Sequence, residues 1–113
     1  MARRDLSGAV DFSVLERTTG ADTAVAEEVL ALFVEQAGLW SPMLETASEG
    51  WRDAAHTLRG AAAGIGAGAL AAACAEAEAG DGASLRRVRD ELDRALADVA
   101  AWRHELMLRS LKG

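Results

Sequence analysis

The sequence predicts an all-α fold: an up-down antiparallel four-helix bundle with a short additional N-terminal helix. Three observations carry that prediction. Half of the 113 residues are apolar, yet there is no Tyr, only two Phe and three Trp, and much of the remainder is alanine. Alanine is the best intrinsic helix former, while strands favour β-branched and aromatic residues. Apolar residues recur at spacings of three and four, the period of a helix with one buried face. Finally, short clusters of Gly, Pro, Asp and Ser separate these runs, so sequential helices should lie antiparallel beside one another.

The elements follow in order. Residues 1–10 read as a poorly ordered or docking tail, and residues 11–113 as a single domain without repeats or an interdomain linker. Asp11 or Ser13 can cap a short helix; Ser13 with Glu16 has capping-box spacing, and Gly20 ends the segment. Asp22 caps a longer helix with apolar positions Val25, Val29, Leu32, Phe33, Leu39 and Trp40. Ser41-Pro42 interrupts it with a kink or restart, after which Met43 and Leu44 continue the stripe. Glu49-Gly50 is the next break. A third helix runs from near Trp51 to Ile65-Gly66, its stripe Trp51, Ala54, Leu58, Ala61 and Ile65. A fourth, Ala67 to Ala79, carries Leu70 and Cys74 and stops at Gly80-Asp81-Gly82. Ser84 caps the last helix, where Leu85, Val88, Leu92, Ala95, Val99, Trp102 and Leu106 form one long seam.

Composition excludes several function classes. A formal charge of −6, with basic residues scattered among acidic ones, argues against a nucleic-acid surface, which needs clustered Lys and Arg. Met1-Ala2-Arg3-Arg4 opens like a signal peptide, but no apolar stretch follows. The Ala/Gly-rich run Gly60 to Ala75 is too short and weakly apolar to span a membrane. A lone cysteine, Cys74, makes no internal disulfide and fits a reducing cytoplasm, with the thiol as buried filler.

The third helix holds the candidate chemistry. At 100° per residue its apolar stripe lies on one side and His56 on the other, facing solvent. Arg52 and Arg59 flank it at i−4 and i+3. Gly60 and Ala63 are its neighbours up the helix, and Gly64 lies further round. Exposed helix faces are ordinarily filled with long polar side chains, and an interior glycine costs about 1 kcal/mol relative to alanine. A surface stripped bare beside an imidazole admits a partner's backbone. A neutral imidazole offers a nucleophilic nitrogen, and arginines can steady a phosphoryl group upon it. A merely solvated histidine, glycines that permit tight helix packing and ordinary surface arginines would leave the same pattern.

The stretch Ala55-His56-Thr57-Leu58-Arg59-Gly60-Ala61-Ala62-Ala63-Gly64-Ile65-Gly66-Ala67 closely resembles the phosphorylation motif of histidine phosphotransfer (HPt) domains: His, any residue, Leu, Lys, Gly, small residues, an aliphatic, then Gly-Ala. The resemblance extends through Leu70 and Cys74 to Glu78, and upstream through Val29-Leu30-Ala31-Leu32-Phe33, covering roughly residues 11 to 108. It implies that His56 accepts a phosphoryl group from a receiver-domain aspartyl phosphate and passes it to another receiver. Arg59 stands where the family usually has lysine and would neutralise the phosphoryl oxygens. Gly60 would leave room for the receiver, with Arg52, Ala63 and Gly64 on the partner-facing surface. Glu78 matches a position where Glu or Gln is common and would accept a hydrogen bond from the ring, a solvated carboxylate being the alternative. The abbreviated Glu49-Gly50-Trp51 departs from the family's longer turn and puts Trp51 in the core. His104 has no small-residue face and reads as a surface histidine.

The resemblance also implies partners and limits. Receiver domains and a sensor or hybrid histidine kinase are the expected partners, with no nucleic acid and no membrane, for a cytoplasmic monomer. The chain has no glycine-rich nucleotide loop followed by Lys-Ser/Thr and no acidic magnesium triad. No cofactor or metal site is therefore expected on it, and Mg²⁺ would sit on the receiver; intrinsic kinase or phosphatase activity is not expected. Two rival readings are a receiver- or kinase-binding adaptor without turnover, and a phosphorylation domain detached from a histidine kinase.

Overall fold

Each helix of the computed structural model, which describes residues 8–20 and 22–112, starts and stops for a local reason. Helix α1 is Phe12–Thr19, capped by Asp11, whose carboxylate accepts from the Ser13 amide at 3.1 Å and its hydroxyl at 2.6 Å. Those bonds hold the Asp11 carboxyl below its ordinary pKa, the side-chain bond contributing most. Of the two caps the sequence allowed, Asp11 is the one used, because Ser13 already lies inside the first turn as the donor. Gly20 closes the helix with φ of 66°, left-handed backbone that suits glycine.

Helix α2, Thr23–Trp40, is capped by Asp22, which accepts from the amides of Ala24 and Val25. Pro42 then sits in a single 3₁₀ turn, Ser41–Met43, where its fixed φ and missing N–H cost nothing. Helix α3 is Trp51–Ile65, α4 is Gly68–Ala79 and α5 is Leu85–Lys112. The Ser84 carbonyl accepts the Val88 amide at the start of α5. No strand occurs among the described residues. α2 packs on α3, α3 on α4 and α4 on α5, and α5 closes back on α2; α1 lies across α2 and α3. This is the antiparallel four-helix bundle with a short extra helix. Among the described residues no helix is long and apolar enough to cross a membrane.

Two predicted stripes turn out rotated. On α2 the buried residues are Ala26, Leu30, Phe33 and Ala37, whereas Val25, Leu32 and Leu39 are exposed. Those three exposed residues mark a line roughly 120° away from the one that packs, at 100° per residue, while Phe33 of the predicted stripe is buried and Val29 and Trp40 pack against the core. Alanine faces the core here because a small side chain lets neighbouring helices approach closely. On α3 the core face is Ala54, Ala55, Leu58, Ala62 and Ile65, with Trp51 and Ala61 only partly covered. The α5 seam stands as expected: Leu85, Val88, Leu92, Ala95, Val99 and Trp102 are buried, with Leu106 half-buried.

The N-terminal segment is anchored from Ala9 onwards. Ala9 and Val10 are buried, and their amides donate to the Asp98 carboxylate on α5 at 3.0 and 3.3 Å. Of the two states foreseen for the tail, these residues show docking; residues 1–7 lie outside the described set. The Phe12 ring stacks on Trp102, 4.8 Å between centroids, and the Asp11 amide donates to Gly66 at the end of α3. Arg103 joins α5 to α2 through Glu27 at 2.6 Å. Asp98 is 2 % exposed, and a buried charge is tolerated when it is fully hydrogen-bonded. Asp98→Ala strips two buried amides of their acceptor. It should destabilise the fold by roughly 1–3 kcal/mol and speed hydrogen exchange at Ala9 and Val10. An unchanged melting temperature with unchanged exchange would refute this anchoring role.

Candidate functional site

Helix α3 projects His56 away from its buried face, leaving the imidazole side chain 65 % exposed. The helix ends at Gly66, whose φ of 84° is left-handed and whose Cβ, if present, would fall on the Asp11 carbonyl. That glycine therefore fixes the turn into α4. The turn brings α4 back alongside α3, and with it Glu78, 22 residues beyond the histidine.

His56 Nδ1 lies 2.8 Å from Glu78 Oε1. The second neighbour of Nδ1 is Arg59 Nη2, at 3.4 Å. A carboxylate only accepts and a guanidinium only donates, so Nδ1 cannot satisfy both. The shorter contact decides: Nδ1 carries the proton and donates it to Glu78. In the neutral ring the lone pair then belongs to Nε2. The Glu78 side chain is 18 % exposed, so it is not the freely solvated carboxylate that sequence left open.

Arg59 is half-buried and turned to the same carboxylate, its Nε 3.2 Å from Glu78 Oε2. This is an ion-pair contact rather than a hydrogen bond, since Oε2 lacks a properly directed donor. One carboxylate thus meets the imidazole through one oxygen and the guanidinium through the other.

Arg52 occupies the predicted flank, but its guanidinium reaches across to α4. Nη1 donates to the Glu78 carbonyl, and Nη1 and Nη2 approach the Gly80 carbonyl at 3.3 and 3.2 Å. The guanidinium carbon also sits 4.5 Å from the centre of the Trp51 ring. Sequence reasoning missed this clasp. A signal existed: the last turn of α4 has no basic residue of its own, so its terminal carbonyls needed a donor from elsewhere.

The glycines divide into two kinds. A Cβ added at Gly60 or at Gly64 would meet nothing within 4 Å, so neither glycine is there to let helices pack. With exposed Ala63 they leave a bare patch beside His56. Gly66, by contrast, is required by backbone geometry. Cys74 is buried one turn before Glu78, and its thiol is pushed up to about 11 by burial and by the Glu78 carboxylate, with Arg59 opposing. A thiol so protonated is a poor nucleophile. His104 is exposed on α5, remote in sequence from every other residue of this cluster. Among the described residues no three His, Cys, Asp or Glu side chains group as metal ligands.

A search of curated proteins finds no match. Among solved structures, the chain is similar to the crystal structure of histidine phosphotransferase ShpA from Caulobacter crescentus, with 56 % identity and a TM-score of 0.87 over 92 % of this chain and 99 % of that one. The Hpt domain family matches residues 24–102, a span that contains His56, Arg59, Gly60 and Glu78. The chain therefore belongs to the histidine phosphotransfer (Hpt) domain family of phosphorelay proteins.

Proposed function

We propose that this chain is a phosphorelay intermediate in which His56 Nε2 takes a phosphoryl group from a receiver-domain aspartyl phosphate and returns it to a second receiver. The observation that carries this reading is the 2.8 Å contact from Nδ1 to Glu78, which leaves Nε2 as the free nucleophile on a bare helix surface. Attack by Nε2 forms a nitrogen–phosphorus bond as the aspartyl oxygen–phosphorus bond breaks and the carboxylate leaves. The Nδ1 proton stays in place, so the phosphorylated ring is an imidazolium. Glu78 then stabilises that new positive charge through the bond already formed. Arg59 faces the phosphoryl oxygens from one helical turn away.

Phosphoryl transfer rests mainly on positioning and charge stabilisation. Here the positioning belongs to α3 and α4, and the open patch at Gly60, Ala63 and Gly64 admits the receiver. Receiver domains and a histidine kinase are the partners with which the family works. The receiver would supply its acidic pocket and Mg²⁺, with no cofactor on this chain. The chain would act as a cytoplasmic monomer.

The primary test is label transfer from a phosphorylated receiver. His56→Gln should abolish it with the helical spectrum unchanged, and label on His104 or on the Gln variant would overturn the assignment. Kinase alone, then kinase with receiver, separates a relay protein from a phosphorylation domain detached from a histidine kinase.

Gly60→Gln should obstruct the receiver while the melting temperature holds or rises, because glycine is the poorer helix former and nothing lies within 4 Å of its Cβ site. Normal transfer by that variant would show that the bare surface serves no approach.

Arg59→Ala removes a charge-assisted contact worth roughly 1.5–3 kcal/mol, equivalent to about ten- to a hundredfold in rate. Single-turnover transfer should slow by that order, and Arg59→Lys should keep most of the rate. Parent-like rates in both would leave phosphoryl stabilisation to the receiver alone.

A further inference from the structure

We propose that Arg52 is a positioning residue, which holds the end of α4 in the place where Glu78 fixes the imidazole tautomer of His56. The role rests on the phosphotransfer reading for its purpose, but not for its test. Arg52 and His56 stand four residues apart on α3, and both reach the same residue of α4. Arg52 takes the Glu78 carbonyl while His56 takes the Glu78 carboxylate. Glu78 is thereby tied to α3 by its backbone and by its side chain.

The need for such a tie follows from how α4 ends. Its C-cap, Gly80, has φ −110° and ψ −152°, so the chain leaves the helix in extended form without the left-handed turn that closes α1 and α3. The Ala77 carbonyl accepts the Gly80 amide, the Glu78 carbonyl is left for another donor, and a cation at this end of a helix is favoured by the helix dipole. The Arg52 guanidinium meets the carbonyls of Glu78 and Gly80 together, with the Trp51 ring beneath it. A planar fork suits two carbonyls at once, whereas a lysine ammonium is a single point of charge. Glu78 lies in the last turn, where a helix frays most readily. Without the clasp its carboxylate would sample positions away from Nδ1, and the ring would exchange between its two neutral tautomers.

The experiment reads the ring directly. Imidazole ¹⁵N chemical shifts of unphosphorylated protein report the Nδ1–H and Nε2–H forms of His56, with circular dichroism as the check on folding. Arg52→Met keeps an unbranched side chain but no donors, and should raise the Nε2–H fraction severalfold. Arg52→Lys should fall between it and the parent. In a Glu78→Ala background, Arg52→Met should add no further shift, since the effect passes through Glu78. Transfer by Arg52→Met should slow severalfold at saturating receiver, with the half-saturating receiver concentration unchanged. Parent-like ¹⁵N shifts in Arg52→Met would overturn the proposal. So would a change confined to the half-saturating concentration, which would make Arg52 a receiver contact instead. If the parent accepts no phosphoryl group while Arg52→Met still moves the ring equilibrium, the relay reading fails and the positioning role stands.

Discussion

The close packing of α3 on α4 is the constraint on which the site depends. It is the most extensive helix contact among the described residues, and the residues that α3 and α4 bury include Ala54, Ala55, Ala62, Ala73, Cys74 and Ala77. Helix axes separate by a distance set by the side chains between them. Small residues bring the axes near, and only then does a carboxylate on α4 reach an imidazole that points away from the core. Larger side chains along this seam would lift Glu78 away from Nδ1 and leave the histidine to solvent. The alanine content that signals helix in the composition thus also sets how near His56 and Glu78 come to one another.

Much of this was legible in the sequence, for identifiable reasons. Caps and breakers act locally, so Asp22, Gly20, Gly66 and the Gly80–Gly82 turn were readable as helix limits. α5 was readable because its seam is built from large side chains at unbroken spacing. α2 was not: Leu32 and Leu39 are larger than Ala26 and Ala37, and size is a poor guide where the partner helix is itself lined with alanine. His56 was placed correctly on the solvent side, since periodicity alone fixes a side chain's direction on its own helix.

Interactions between elements were the part that periodicity could not supply. Asp98 looks like one more surface acid on a charged helix, yet it is buried because amides 89 and 88 residues away need an acceptor. Arg52 looks like a surface cation beside an exposed histidine, yet its donors close the end of another helix. In both cases the backbone groups that demand a partner lie far away in sequence. The glycines were ambiguous for the opposite reason. Close packing and open approach both favour glycine, and only the empty space over Gly60 and Gly64 separates the two.

Arginine in place of the family's usual lysine at position 59 gains a meaning from this geometry. Its Nε faces Glu78 at 3.2 Å while Nη2 stands 3.4 Å from the imidazole. With Nδ1 donating to Glu78, the guanidinium makes no hydrogen bond to the ring; its ion-pair contact is with the carboxylate, and its planar fork leaves Nη2 beside the imidazole. The carboxylate and the guanidinium balance one another beside the ring. In the transfer proposed above, the incoming phosphoryl group would carry up to about two negative charges, and the ring would gain one positive charge as Nε2 bonded to phosphorus. In the proposed transfer, Glu78 would turn its attraction to the ring, and the guanidinium would be free to face the phosphoryl oxygens without leaving the carboxylate unpaired. On that proposal the two charges would exchange partners rather than seek new ones, so the site would meet the phosphoryl group with little rearrangement.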